Sequence, residues 1–264
     1  MFLQIFERNN MENKLSELIE LSRKLGDPSL SLAILGEGNT STDIGDGTFW
    51  VKASGSQLST IDENGFSRVY GKKALDLLDN PTVDDTGVAE GLKNALFDKK
   101  MGKPSVETFL HAMCIFECKA KWVGHTHPIS VMSILCSKEG AKPFQKHIYP
   151  DEIVVCGEQI AVVPYIDPGL PLARAVREVF HQFMDTYGHS PKLLLMENHG
   201  MVALGQQAKD VMNISLMADK WARTILGTYT MSGPKNLTDD QAHRIETRPD
   251  EAYRRKKISN KLKG

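Results

Sequence analysis

The chain has 264 residues, 41% of them hydrophobic and 25% charged, an ordinary globular composition that permits a substantial core. A formal net charge of -1 excludes the global basic field that nucleic-acid or anionic-membrane binding would need, and no apolar run reaches the roughly 18 residues that span a bilayer. Four cysteines without paired spacing, in a chain whose opening lacks the charge-then-apolar order of a secretory leader, point to reduced thiols and a cytoplasmic protein.

Residues 1–11 read as an N-terminal extension. Leu15, Leu18, Ile19 and Leu25 then recur at helical spacing in ENKLSELIELSRKLG until Gly26 and Pro28 stop the pattern, which predicts an amphipathic opening helix. LSLAILGEGNTSTDIGDGTFWVKASGSQLSTI predicts a strand, a glycine-rich turn, a second strand and a second glycine turn. Residues 62–103 are polar and acidic with helical patterns but no large apolar run, as a peripheral excursion would be. KPSVETFLHAMCIFEC predicts a helix capped by Ser105, with Glu107 in the first turn and Cys114 and Cys118 on one buried face.

AKWVGHTH follows as a short strand closed by Pro128. EIVVC and QIAVVPYI predict two more strands, and LARAVREVFHQFMDTYG a helix. KLLLMENHGMVALG predicts a buried strand broken at its polar centre, and DVMNISLMADKWARTILGTY a long final helix. With no repeat and no linker, the pattern predicts one α/β domain over 1–264, ending in a basic, solvated tail at 247–264.

Alternation along a strand puts residues two apart on one face, so His125 and His127 form a two-nitrogen pincer. His199 sits where an apolar strand gives way to Gly200. Three imidazoles match the ligand number of a catalytic zinc site, and Glu107 opens the helix that leads into the histidine strand. Other H-x-H patterns fit poorly. The pair continues into Pro128 and Ile129 instead of a further aspartate and histidine, the next glutamate is Glu139, and no eightfold strand-helix alternation is present.

GEGNTS at 36–41, ASG at 53–55, PSVETFLH at 104–111, GHTHP at 124–128 and ENHG at 197–200 occur in the order of the class II aldolase and adducin family. The chain resembles that family over roughly residues 12–230, and most of all its rhamnulose- and fuculose-phosphate aldolase type. The resemblance implies a three-layer α/β/α fold with a central, mostly antiparallel sheet. It implies a homotetramer with sites at subunit interfaces, acting on a small sugar or sugar-phosphate substrate, with no nucleic acid or membrane partner.

Carried over by residue, the resemblance implies that His125, His127 and His199 bind Zn2+ or another divalent metal such as Mn2+, Co2+ or Fe2+, with Glu107 as catalytic acid/base. Gly38, Asn39, Ser54, Gly55 and Ser105 would hold a substrate phosphate, since glycine turns and helix starts present free N–H groups. Tyr149, supplied by a neighbouring subunit, would serve as second acid/base. Val106 departs from the family, where a second serine often precedes the glutamate; Lys52 is a candidate to compensate, although an exposed strand lysine is its simpler reading.

The implied activity is aldol cleavage of a ketose phosphate, in which the metal stabilises an enediolate and Glu107, its pKa raised by burial, exchanges a proton with carbon. Epimerisation, decarboxylation or dehydration on the same scaffold, and a non-catalytic adducin-like binding role, are the alternatives. His111 reads as a hydrogen-bonded core histidine, and His147, His181, His189 and His243 as surface positions. Arg254 or Arg255 of the tail is placed to reach an anion in a neighbouring site.

Overall fold

Strands with two apolar faces need a helical layer on each side, and the architecture follows from that requirement. The computed structural model describes residues 2–80 and 83–250. Helix α1 (Phe2–Leu25) leads into strands β1 (Asn39–Asp43), β2 (Thr48–Lys52) and β3 (Phe66–Tyr70), followed by helices α2 (Gly71–Asp79), α3 (Asp85–Ala95) and α4 (Thr108–Phe116). Strand β4 (Trp122–Thr126), helices α5 (Ile129–Leu135) and α6 (Pro150–Cys156), strand β5 (Ala161–Val163) and helix α7 (Leu170–Tyr187) come next. A hairpin of β6 (Leu193–Met196) and β7 (Gly200–Gly205) precedes α8 (Ala208–Thr228) and α9 (Asp239–Thr247).

The seven strands form one sheet in the order β3-β2-β1-β4-β7-β6-β5. Every neighbouring pair is antiparallel except β5 with β6, which is parallel. Period-two alternation sorts the side chains into two cores. Phe49, Val51, Val123, Leu194, Met196, Val202 and Leu204 face the layer containing α4 and α7, where Phe109, Met113, Val176 and Phe180 pack. Trp50, Trp122, Leu193, Leu195, Met201 and Ala203 face the opposite layer, against Leu18, Leu25, Ile134, Ile214 and Trp221 of α1, α5 and α8. This is the three-layer α/β/α arrangement with a mostly antiparallel sheet expected from the sequence. Among the described residues no helix is long and apolar enough to cross a membrane.

Several local expectations change. LSLAIL is a turn-rich segment, with Ser31 and Leu35 in left-handed backbone, and the first strand is instead the polar but buried NTSTD. EIVVC is part of helix α6. Pro150 occupies the first turn beside Asp151 and Glu152, a start that suits the fixed φ of proline and the helix dipole and outweighs the β-branched run. The segment 62–103 is not peripheral: it contributes β3, and Ala74, Leu78, Leu92 and Ala95 enter the core.

Ser105 is not the cap of α4, because Glu107 itself occupies that position; Ser105 Oγ instead accepts from the Glu107 N–H at 3.3 Å. The backbone of residues 2–11 continues α1, and α9 follows the helix read as the last. Cys114, Cys118 and Cys156 are buried free thiols and Cys136 is exposed. The tail arginines Arg254 and Arg255 lie outside the described residues.

Strand β4 lies at the centre of the sheet, and Gly124 lets α1 and α8 close on it. A β-carbon at Gly124 would stand 2.5 Å from Val211 Cγ1 and 3.1 Å from Leu25 Cδ1. Neither branched side chain has space to withdraw, since both are fully buried. Gly124→Ala is therefore expected to destabilise the fold by about 1–3 kcal/mol through overpacking, read as a lower urea midpoint. An unchanged midpoint would show that the α1 and α8 layer yields.

Candidate metal centre

β4 and the β6–β7 hairpin supply the histidines. His125 pairs with Asn39 of β1 on one side and with Val202 of β7 on the other, so its backbone is held by two strands. His127 follows directly after β4, where its N–H donates to Leu32 O at 2.8 Å. His199 sits in the tight β6–β7 turn, after Asn198 in left-handed backbone. Only glycine fits at 200, because a β-carbon there would lie 2.6 Å from His127 Cδ2 and 2.8 Å from Thr126 O.

One nitrogen from each ring converges, all within 4.8 Å of one another. His125 Nδ1 lies 2.9 Å from the Met201 carbonyl, which can only accept, so Nδ1 carries a proton and the neutral ring directs the Nε2 lone pair inward. That Nε2 lies 2.9 Å from His127 Nε2. Two facing lone pairs repel unless a proton or a cation lies between them, so the donor set suits a divalent metal. Glu107 Oε1 closes the cluster, 3.1 Å from His199 Nε2 and 3.4 Å from His125 Nε2. Glu37 Oε1 stands 4.0 Å from His127 Nδ1, on the outer side of that ring.

Electrostatics differ from residue to residue. Burial disfavours the charge of Glu107, yet His125 beside it and hydrogen bonds from His125, His199 and Asn39 prevail and hold its carboxyl well below the usual range. The expectation that burial raises this pKa is thus corrected: the opposing contacts win. Burial also opposes charge on His125, but the Glu107 carboxylate and the bond to Met201 O lift it above its ordinary value. His127 is pulled down to about 3 by burial and by repulsion from His125 and His199.

Of the loops expected to bind an anion, two lie side by side. Gly38 and Gly55 have positive φ. The Ala53–Pro104 bridge and the Ser54 N–H bond to Lys103 O at 2.8 Å bring the Ser54–Gly55 turn beside Ser105. Asn39 differs from expectation in its side chain, whose amide is consumed by Glu107 on one end and His111 on the other. Val106 is 48% exposed and offers no hydroxyl.

Lys52 is not an exposed strand lysine. It is 4% exposed, its Nζ donates to Gly36 O at 3.2 Å, and burial lowers its pKa. Alternation in TFWVKAS signals this, since it puts Lys52 on the face of buried Trp50. Tyr149 is half-buried against α8, its hydroxyl 3.5 Å from Met217 Sδ, and among the described residues it makes no hydrogen bond to Glu107 or to His125, His127 or His199. His147 is not a surface residue: its ring pairs with buried Glu152 at 2.9 Å and stacks on Trp221. His181, His189 and His243 are exposed, as expected.

A buried tri-histidine cluster with an adjoining carboxylate, set in a mixed α/β/α sheet, marks the class as α/β proteins with a candidate metal centre. The sequence pattern of the class II aldolase and adducin N-terminal domain matches residues 16–226, and the chain belongs to this family. It is 32% identical over 162 residues to the uncharacterized oxidoreductase YuxG of Bacillus subtilis; the match takes in 61% of this chain but only 21% of that protein.

Among solved structures, the N-terminal class II aldolase domain of a conserved Thermoplasma acidophilum protein superposes with a TM-score of 0.64 at 28% identity, over 80% of this chain and 93% of that one. YgbL of Klebsiella pneumoniae gives a TM-score of 0.69 at 21% identity, over 89% and 99% of the respective chains, a likeness of fold.

Metal and proton compete for the same lone pairs. Because the pKa of His125 is raised, its proton competes with the metal at a higher pH than that of a free imidazole, and affinity is expected to fall about tenfold per pH unit below that pKa. His127 adds nothing to this loss until about pH 3. Zinc titrations between about pH 5 and 8 check the slope; a flat profile would exclude His125 as a ligand.

Proposed function

We propose that the protein is a divalent-metal-dependent carbon–carbon lyase that cleaves a small ketose phosphate. The observation that carries this reading is the convergence of His125, His127 and His199 within 4.8 Å, with Glu107 Oε1 at their open side. A bound Zn2+, Mn2+, Co2+ or Fe2+ would supply a Lewis acid that draws developing negative charge from the substrate carbonyl. His125, His127 and His199 would hold it.

Glu107 then handles the proton at carbon. Its depressed pKa keeps it a carboxylate at rest, ready to accept a proton in the condensation direction and, once protonated, to return it to carbon in cleavage. Asn39 holds its Oε2, so Oε1 is the oxygen free to face the reacting carbon.

Lys52 supports an anionic substrate. A buried ammonium without an ion-pair partner among the described residues is costly, and a phosphate beside the Ser54–Gly55 turn and Ser105 would relieve that cost. In this reading Lys52 takes the place of the hydroxyl lost at Val106. The reading also includes a homotetramer. Exposed Ile34, Leu35 and Ile129 on the segments flanking His127 suit contact with a second copy, and Tyr149 would reach a neighbouring site instead of its own. The buried free thiols suit a reducing, cytoplasmic setting.

One observation favours a second reaction class. Among the described residues Glu107 is the carboxylate that touches His125 and His199, Glu37 stands on the outer side of His127, and Tyr149 is turned elsewhere, so epimerisation or decarboxylation, which lack an aldehyde product, is the alternative. Product identity separates them.

The protein, loaded in turn with each metal, is to be incubated with ketose 1-phosphates, and dihydroxyacetone phosphate read by coupled reduction. Glu107→Gln is expected to lower kcat by about 10²–10⁴ with metal content retained. Inverted sugar or carbon dioxide without aldehyde would replace the lyase reading. Lys52→Met is expected to raise KM by roughly 10- to 100-fold for a phosphorylated substrate, the loss of one charged hydrogen bond, and to spare an unphosphorylated one. An equal effect on both would remove Lys52 from the anion site.

A further inference from the structure

Glu107 does not meet the histidines unaided. Behind it runs a chain of polar side chains closed to solvent. His111, one helical turn further along α4, is 0% exposed; its Nδ1 lies 2.6 Å from Ser41 Oγ, and its Nε2 contacts Asn39 Oδ1. Asn39 Nδ2 contacts Glu107 Oε2 in turn. Ser41 and Asn39 lie two apart on β1 and so share one face, while Glu107 and His111 lie four apart and share one side of the α4 start. Two periodicities thus bring four polar groups into register.

Counting donors gives the chain one direction. An ionised carboxylate only accepts, so the amide atom facing Glu107 must be the NH2 and the amide oxygen must face His111. An amide oxygen also only accepts, so His111 carries its proton on Nε2. Nδ1 of the neutral ring then accepts from the Ser41 hydroxyl. Burial, which pushes His111 down to about 3, agrees with a neutral ring. The oxygen and nitrogen of an asparagine amide are nearly equal in size, so shape alone does not choose between the two orientations of Asn39. The Glu107 carboxylate selects one orientation from its end, and the His111 N–H holds it from the other.

We propose that His111 is a positioning residue for Glu107: its Nε2–H locks the Asn39 amide in the one orientation that donates to Oε2, which turns Oε1 toward the histidine cluster. The proposal rests on the reading of Glu107 as the proton-handling group. A purely structural histidine would fill the same space without setting the amide.

Long-range proton–nitrogen spectra of the wild-type protein are expected to show His111 as the neutral Nε2–H tautomer, with one Asn39 amide proton far downfield from its carboxylate bond. His111→Met fills the volume without the donor, and His111→Gln restores an N–H at the Nε2 position. His111→Met is expected to lose the downfield signal and to lower kcat by roughly 10- to 100-fold, the scale of a misplaced catalytic group, with KM and metal content unchanged. His111→Gln recovers both signal and kcat.

A wild-type ring protonated at Nδ1 overturns the proposal before any variant is made. So does a His111→Met variant that keeps the Asn39 signal, or one whose losses His111→Gln does not reverse. If the Asn39 signal follows His111 while no sugar is cleaved, the positioning role stands and the lyase reading alone fails.

Discussion

Two imidazole nitrogens held 2.9 Å apart in a space largely closed to water set the terms for the rest of the molecule. Both cannot be protonated, and two bare lone pairs repel. The surroundings must therefore fix which nitrogen keeps a proton and must supply positive charge to the gap. The Met201 carbonyl does the first for His125, and a divalent cation suits the second. Glu107, against His125 and His199, is the counter-charge that makes positive charge there tolerable.

That constraint explains the position of the cluster in the sheet. β4 is central, flanked by β1 and β7, so the backbone of His125 is clamped by two ladders at once. The β6–β7 turn then approaches so closely that a side chain at Gly200 would strike both His127 and the Thr126 carbonyl. A ligand set of this kind needs its atoms held to fractions of an ångström, which strands in a clamped sheet achieve better than free loops.

Two charged groups meet burial in opposite ways. Glu107 is stabilised as a carboxylate because His125, His199 and Asn39 together outweigh desolvation. Lys52 has only Gly36 O and a distant attraction to Glu107, so desolvation prevails and its pKa falls. The first charge is matched by its surroundings, and the second is met by a single carbonyl. The Asn39 amide belongs to the Glu107 network, engaged at one end by Glu107 and at the other by His111.

The sequence by itself determined the features that depend on local spacing. Alternation put His125 and His127 on one face, the apolar break at Gly200 exposed His199, and the runs of α7, β6, β7 and α8 carried periods strong enough to be read directly. Local reading failed where position in the fold overrides composition. NTSTD is a strand because both its neighbours pair with it, despite its polar side chains, and EIVVC is a helix because a proline start and acidic first turn outweigh its β-branched residues. Only the tertiary structure decided the states of Lys52, His111, Asn39 and Tyr149. Burial and hydrogen-bond direction depend on residues 16 to 72 positions away in the chain, and no local pattern encodes which distant group will stand opposite.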